Sequence, residues 1–179
     1  MSATAPARPG PDEYAAYYEK YVSLAADAGD VLETLERQGA ETLALLRGLP
    51  EERGAHRYGE GKWSVRQLVG HVNDTERLFA YRALAIARGD GAPLPGMDQE
   101  VWMAGSDFDS RALGDLADEF EAVRASTLHL LRHLSPDAWA RRGVASDNEV
   151  TVRALAYIIA GHEAHHLRIL RERYLRGEG

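Results

Sequence analysis

The chain has 179 residues, a length that favours one domain able to bury a hydrophobic core without covalent staples. Hydrophobic residues make up 45% and charged residues 27%, as in an ordinary globular protein. The chain has no cysteine, which excludes disulfides, thiolate metal ligands and a cysteine nucleophile. Its formal net charge of −7 argues against nucleic acid as a partner, because phosphate binding needs a surplus of Lys and Arg.

The N-terminal residues 1–11 are small, polar and proline-rich, and we predict a disordered tail there. A single domain is then expected over residues 12–179. The tail lacks the apolar stretch of a signal peptide, and no apolar run approaches the roughly 20 residues that span a bilayer. We therefore expect a cytoplasmic protein without a membrane partner, and the absence of cysteine agrees with that compartment.

Helical patterns follow one another along the chain. A short aromatic helix is predicted within the run DEYAAYYEKYVSLAA, with its tyrosines packed on the body. The first long helix is predicted over residues 30–48, capped by Asp30. The second begins at Ser64, where Ser64 and Gln67 form a capping box, and extends to about residue 88.

Residues 89–110 form a long connection that is predicted to lie on the bundle, because a solvated linker would not need its Met97, Trp102, Met103 and Phe108. The third and fourth long helices are predicted over residues 111–134 and 151–173. No segment shows sustained period-two alternation, so no sheet is assigned. The predicted fold class is therefore all-α, a four-helix bundle with a long crossover between its second and third helices.

Three histidines face the predicted core. His162 and His166 are one turn apart on the fourth helix, within its apolar sector, so their imidazoles can share one ion. His71 lies in the apolar sector of the second helix. A buried imidazole without a partner costs about 1–3 kcal/mol, and a metal ion supplies a common partner. We predict a divalent metal ion between these three histidines, with open coordination positions; zinc or nickel is expected, with iron or manganese as alternatives.

The other histidines are placed outside this site. His129 and His133 have the same i, i+4 spacing, but both lie more than about 100° from the apolar stripe of the third helix, so they are expected to face solvent. His165 lies at the edge of the inner sector and is either a catalytic candidate beside the site or a residue that only borders it.

The segment from His162 to His166 also satisfies the H-E-x-x-H pattern of zinc proteases. Those enzymes take a third ligand from downstream, and no histidine follows His166, so a peptidase is not favoured. Glu163 is either a catalytic candidate near the metal or a solvated carboxylate. Arg82, in the apolar sector of the second helix, either binds an anionic substrate group or pairs with an acidic side chain from another helix.

Two segments carry a family resemblance. GKWSVRQLVGHVNDTERLFAYRALAIARGD and VTVRALAYIIAGHEAHHLRILRERYL resemble the second and last helices of the DinB-like superfamily, which includes the YfiT-like metal-dependent hydrolases. The resemblance extends over about residues 11–175. It implies a bundle of up-down-down-up topology, usually a homodimer, with a metal held by positions that match His71, His162 and His166.

Relatives of this kind include S-transferases that use low-molecular-weight thiols such as bacillithiol, and a mycothiol-dependent isomerase. The resemblance therefore implies that the metal lowers the pKa of a small thiol, which attacks a small electrophile. Two alternatives stay open. One is a metal-dependent hydrolase assisted by Glu163 or His165, and the other is a non-catalytic metal-binding stress-response protein.

Overall fold

A computed structural model describes residues 6–26 and 29–176. Within them the helices are α1 (Glu19–Ala26), α2 (Val31–Gly48), α3 (Val65–Ala87), α4 (Gln99–Ala104), α5 (Leu113–Arg132), α6 (Pro136–Ala140) and α7 (Val152–Ile169). The strands are β1 (Arg142–Ala145) and β2 (Asn148–Thr151). Three-residue to five-residue 3₁₀ segments lie at Ala16–Tyr18, Glu51–Ala55 and Phe108–Ser110, and a π-helical turn, Leu170–Tyr174, continues α7.

Local side-chain caps begin the helices where the sequence predicts them. The Asp30 carboxylate accepts hydrogen bonds from the amides of Leu32 and Glu33, at 2.8 and 3.3 Å, at the start of α2. Ser64 and Gln67 form the predicted capping box at the start of α3. Each contact satisfies amides that the first helical turn leaves without a partner.

The four long helices form a bundle in which α2 and α3 each pack against both α5 and α7. Arg47 near the end of α2 pairs with Asp118 near the start of α5, at 2.8 Å, so these helices are antiparallel. The Tyr174 hydroxyl, beyond the end of α7, donates to the Trp63 carbonyl just before α3, at 2.8 Å, so α3 and α7 are also antiparallel. The predicted all-α, up-down-down-up four-helix bundle is confirmed.

The crossover at residues 89–110 lies on the bundle, as predicted. Phe108 packs over Gly70 of α3, where an added Cβ atom would lie 2.4 Å from the phenyl ring. The Ser64 hydroxyl, at the start of α3, donates to Asp109, just before α5. The crossover therefore returns along the length of α3 and makes α3 and α5 parallel.

A short antiparallel hairpin corrects the expectation that the chain has no sheet. Strands β1 and β2 pair with Ala145 opposite Asn148, and the two turn residues, Ser146 and Asp147, have φ angles of 52° and 61°. Two left-handed residues are typical of the type I′ turns that connect twisted strands. Strands of four residues are too short to show alternation in the sequence.

The N-terminal segment is packed more closely than predicted. Residues 1–5 of the predicted tail lie outside the described residues. Residues 6–11, also assigned to that tail, lie against the bundle: Pro9 is buried, and the Tyr157 hydroxyl donates to the Pro6 carbonyl at 3.3 Å.

Trp102 of the crossover was predicted to pack on the bundle, but its side chain is 44% exposed. No helix in the described ranges is long and apolar enough to cross a membrane.

The core is divided into two hydrophobic clusters at the two ends of the bundle. One contains Leu35, Phe79, Leu131 and Ile158, and the other contains Leu46, Leu68, Phe120 and Leu167. Along every long helix, buried polar side chains lie between the two clusters. We call these residues the polar layer: Thr42, His71, Thr75, Glu76, Arg124, His162 and Glu163.

Candidate metal centre

Three histidines of α3 and α7 converge in the polar layer. The Nε2 atom of His162 lies 3.2 Å from Nε2 of His71 and 3.1 Å from Nε2 of His166. One ring nitrogen from each residue lies within 4.8 Å of the other two. His71 and His162 are buried and His166 is half-buried. The structure thus brings together the three residues predicted as metal ligands.

Helix α1 covers this cluster through a close approach to α7. An added Cβ atom at Gly161 would lie 1.8 Å from the carbonyl oxygen of Tyr21, so only glycine permits the contact. The Tyr21 ring then lies 5.3 Å from the His162 ring, centroid to centroid. On the other side, the Trp63 ring lies 4.9 Å from the His71 ring. Aromatic rings of Tyr21 and Trp63 therefore flank the cluster.

A hydroxyl orients one of the imidazoles. Thr75 is one turn beyond His71 on α3, and its Oγ1 atom lies 3.4 Å from Nδ1 of His71. When Nδ1 carries the proton and donates it to this hydroxyl, the lone pair of Nε2 is free for a metal ion. Such a partner fixes both the tautomer and the ring orientation of a ligating histidine.

Burial keeps the cluster neutral at physiological pH. It lowers the pKa of His71 to about 4. Burial, together with the charges of His71 and His165, lowers the pKa of His166 to about 3. The pKa of His162 lies well below its ordinary value, again chiefly because of burial. Neutral imidazoles have a free lone pair, which metal coordination requires.

The donor set fits a divalent transition metal. Each Zn–N bond is about 2.0–2.1 Å, so two nitrogens on one tetrahedral ion are about 3.3 Å apart. The two short nitrogen separations in the cluster, 3.2 and 3.1 Å, agree with that spacing. Three nitrogens leave at least one position of such an ion open to a small molecule.

Two cavities reach the cluster from different sides. The larger, of about 470 Å³, adjoins His71 and His162 and extends along α3 to Arg82. The smaller, of about 290 Å³, adjoins His166 between Trp63 and the turn after α7. Gln99 of α4 lines both cavities. Their sizes suit small molecules rather than polymers.

Glu163 is bonded away from the histidines. Thr42 of α2 donates to one of its carboxylate oxygens at 2.7 Å, and Arg124 of α5 donates to the other at 2.6 Å. Burial raises the pKa of Glu163, while Arg124 and Thr42 oppose the shift. The carboxylate is only 2% exposed, so the alternative of a solvated side chain is wrong. Both of its oxygens accept hydrogen bonds from side chains of other helices in the bundle.

Arg82 is buried without an acidic partner. It is 2% exposed, and its Nη2 atom donates to the Pro95 carbonyl at 2.7 Å and to the Ser146 hydroxyl at 2.9 Å. No carboxylate of the described residues lies within salt-bridge distance of Arg82, so the alternative of an ion pair with another helix is wrong. The guanidinium instead lines the larger cavity.

The remaining histidines lie outside the converging nitrogens. The His165 ring is half-buried and lies 5.1 Å from the His166 ring and 5.6 Å from the Tyr21 ring, and burial lowers its pKa. It borders the cluster without joining it. His129 and His133 are exposed, in agreement with the helical-wheel expectation.

Two charged residues of the polar layer, Arg124 and Glu76, were not predicted from the sequence. Arg124 donates to both carboxylate oxygens of Glu76, at 2.9 and 2.7 Å, and to the Leu35 carbonyl at 2.8 Å. The available signal was their position: Arg124 follows Phe120 by one turn, and Glu76 precedes Phe79, so both charges fall in apolar sectors. Opposite charges in the apolar sectors of two helices are consistent with a buried pair, as Arg124 and Glu76 form here.

One histidine of α3 and two of α7 converge beside open cavities within a helical bundle, an arrangement suited to holding a metal ion. The model of the DinB superfamily matches residues 34–170. The chain therefore belongs to the DinB superfamily.

Individual relatives agree with this assignment. A putative metal-dependent hydrolase of Oceanobacillus iheyensis is 30% identical over 138 residues, which cover 76% of this chain and 77% of that protein. YfiT from Bacillus subtilis, a probable metal-dependent hydrolase with an unusual four-helix bundle topology, superposes with a TM-score of 0.71 at 16% identity, covering 95% of this chain and 93% of YfiT. The mycothiol-dependent maleylpyruvate isomerase has a TM-score of 0.65 at 15% identity, covering 76% of this chain and 58% of that one.

Proposed function

We propose that this protein is a metal-dependent enzyme that transfers a low-molecular-weight thiol onto a small electrophile. The observation that carries the proposal is the meeting of two separate cavities at one cluster of neutral imidazoles. His71, His162 and His166 would hold the ion, which would supply Lewis acidity to a small molecule bound beside it. Zinc and nickel are the expected ions, because both suit imidazole ligands.

Two approaches to one centre support a reaction of two substrates. One cavity ends at His71 and His162, and the other ends at His166, so two small molecules can reach the same ion from different sides. The chain supplies no thiol of its own, because it has no cysteine. A thiol-dependent reaction therefore requires a free thiol as cosubstrate, and the second cavity provides space for it.

The side chains near the cluster also favour an external nucleophile. Glu163, the residue that the H-E-x-x-H pattern offers as a general base, is bonded to Thr42 and Arg124. Asp98 lines the larger cavity, but it is exposed, and its Oδ1 atom accepts from the amides that begin α4. Neither carboxylate is placed as a buried base beside the histidines.

A metal-dependent hydrolase is the second candidate. It is favoured by the names of the Oceanobacillus and Bacillus relatives, both of which describe metal-dependent hydrolases. In that case His165, which borders the cluster, is the nearest candidate for assisting proton transfer. Under either proposal we expect a cytoplasmic homodimer that acts on small molecules.

Metal content tests the site itself. Elemental analysis of purified protein should find about one divalent ion per chain, and the His71→Ala and His166→Ala variants should lose it. His129→Ala is the matched control, because His129 is exposed. Unchanged metal content in the two site variants would overturn the three-histidine site.

An activity panel then separates the two reactions. Metal-loaded protein is offered a small thiol with an electrophilic aryl halide, and separately an ester without thiol. Thiol consumption that His162→Ala abolishes supports transfer. Ester cleavage without thiol supports the hydrolase, and inactivity towards both sets contradicts both proposals and favours a non-catalytic metal-binding role.

A further inference from the structure

The far end of the larger cavity holds a buried cation whose hydrogen-bonding capacity is only partly used. The Arg82 guanidinium makes two hydrogen bonds, both from Nη2. Its Nε atom is buried and has no hydrogen-bond partner among the described residues. Leaving a buried donor unsatisfied is unfavourable, and more so when the group is charged. The two bonds to Pro95 and Ser146 hold Arg82, and its guanidinium carbon lies 5.7 Å from the centroid of the Phe79 ring, but no carboxylate of the described residues pairs with its charge.

The surroundings of the cavity are suited to a small anion. The ammonium of Lys20 lies over the rings of Tyr17 and Tyr21, 4.1 and 4.8 Å from their centroids, and both rings line the cavity. The opposing charge is Asp98, which is exposed and caps α4. Arg82 is therefore the buried charge of the cavity, and the exposed Lys20 lies outside the residues that line it.

The position of Arg82 along α3 determines how far its ligand must extend. His71 and Arg82 are eleven residues apart, which is three turns and about 16 Å along the axis at 1.5 Å per residue. Helical side chains lean towards the N-terminus, so the guanidinium lies nearer to His71 than its Cα atom does. One elongated small molecule can contact both ends of the cavity.

We propose that Arg82 forms an anion subsite that binds a carboxylate or phosphate group of the substrate, remote from the atom that reacts at the three histidines. This inference rests on the proposed function, since it names the substrate class of the same cavity. Of the two possibilities that the sequence left open for Arg82, the structure thus favours recognition of an anionic group.

Direct binding tests the subsite without any need for turnover. Metal-free and metal-loaded protein is titrated with hexanoate, hexyl phosphate and the neutral hexanamide, and the Arg82 Nε–H signal is followed by nitrogen-15 NMR. We expect a saturable shift of that signal with one or both anions and none with hexanamide. The anion that binds more tightly, hexanoate or hexyl phosphate, identifies the recognised group as a carboxylate or a phosphate.

Variants test the same subsite independently. Arg82→Gln and Arg82→Lys should weaken anion binding roughly 10- to 100-fold, because each loses charge-assisted hydrogen bonds. Arg88→Gln, at an exposed position just after α3, is the control and should bind as the wild type does. If Arg82→Gln does not fold, the Arg82→Lys variant and the NMR titration of the wild type still test whether Arg82 binds the anion.

Two results would overturn the subsite: no anion shifts the Arg82 signal, or both Arg82 variants bind as tightly as the wild type. If the proposed function is wrong and the subsite is correct, the experiments give a different result. Anion binding would persist in protein that holds no metal or turns over no thiol.

Discussion

Glu163 follows His162 directly in the chain, yet its carboxylate accepts a hydrogen bond from Arg124 of α5, at 2.6 Å, in the polar layer between the two core clusters. Successive residues of a helix point about 100° apart, so neighbours can serve different sites. His162 faces α3 and the cavity, whereas Glu163 faces α2 and α5. A pattern typical of metalloproteases is thus divided between a candidate metal centre and a buried ion pair.

The buried charges of Arg124, Glu76 and Glu163 connect all four long helices. Arg124 of α5 bonds to Glu76 of α3, to Glu163 of α7 and to the Leu35 carbonyl of α2. Gly39 of α2 makes room for it, since an added Cβ atom there would lie 3.1 Å from the Arg124 side chain. Buried charges of this kind need all their partners, because a charge left alone in the core is costly.

Replacing Glu163 should affect stability and leave metal binding intact. Glu163→Gln removes one of the two carboxylates around Arg124, so we expect the free energy of unfolding to fall by about 1–3 kcal/mol. Metal content should be unchanged, because the Glu163 oxygens bond to Thr42 and Arg124. Urea denaturation and elemental analysis measure the two effects. Exposed Glu172→Gln is the control, and equal stability of the two variants would contradict the structural role.

Removing the shared cation should be more damaging. Arg124→Met leaves two buried carboxylates without their cation, so we expect a loss of about 3–5 kcal/mol in denaturant unfolding. The double variant with Glu163→Gln should lose less than the sum of the single losses, because the two residues interact directly. Arg132→Met is the matched control on α5, since Arg132 pairs with Glu36 at the surface. Its replacement should lower the free energy of unfolding by less than about 1 kcal/mol.

The glycine beside His162 should tolerate no side chain. Gly161→Ala places a methyl group against the Tyr21 carbonyl, so α1 must move, and we expect a loss on the order of 1–3 kcal/mol. Thermal unfolding measures it, and the fluorescence of the tyrosines reports displacement of α1. Gly114→Ala is the control, because no described residue outside its own stretch of helix lies within 4 Å of its added Cβ, and it should leave stability unchanged or raise it slightly.

Acid should weaken the N-terminal attachment at Glu13. Burial would raise the pKa of Glu13, but hydrogen bonds from Arg153, Gly10 and Thr151 outweigh it and hold the pKa at about 2. Because the folded pKa is below the unfolded value of 4.5, Glu13 stabilises the fold fully above about pH 4.5, and this contribution is lost as pH falls towards 2.

The Glu13→Gln variant isolates that contribution. A pKa difference of this size corresponds to about 3 kcal/mol, so the wild type should lose this much relative to the variant between about pH 4.5 and 2. Chemical denaturation at several pH values measures the difference. Parallel stability curves for the two proteins would contradict the assignment.

The sequence determined the features that depend on helical periodicity and on contacts between near neighbours. The capping box of Ser64 and Gln67 begins α3 where predicted, because it involves residues one turn apart. The inward placement of His71, His162 and His166 follows from the apolar sectors of their own helices, and the outward placement of His129 follows in the same way. The four long helices and the fold class were predictable for this reason.

Only the tertiary structure decided which side chains meet across helices. Glu163 and Arg124 are 39 residues apart, and neither helix alone tells whether a buried carboxylate faces a metal or a guanidinium. Arg82 was equally ambiguous, because its environment is built by the crossover at Pro95 and the hairpin at Ser146. Periodicity determines which face of a helix is buried, whereas the partner of a buried charge depends on the register between helices, which the packing of the whole core determines.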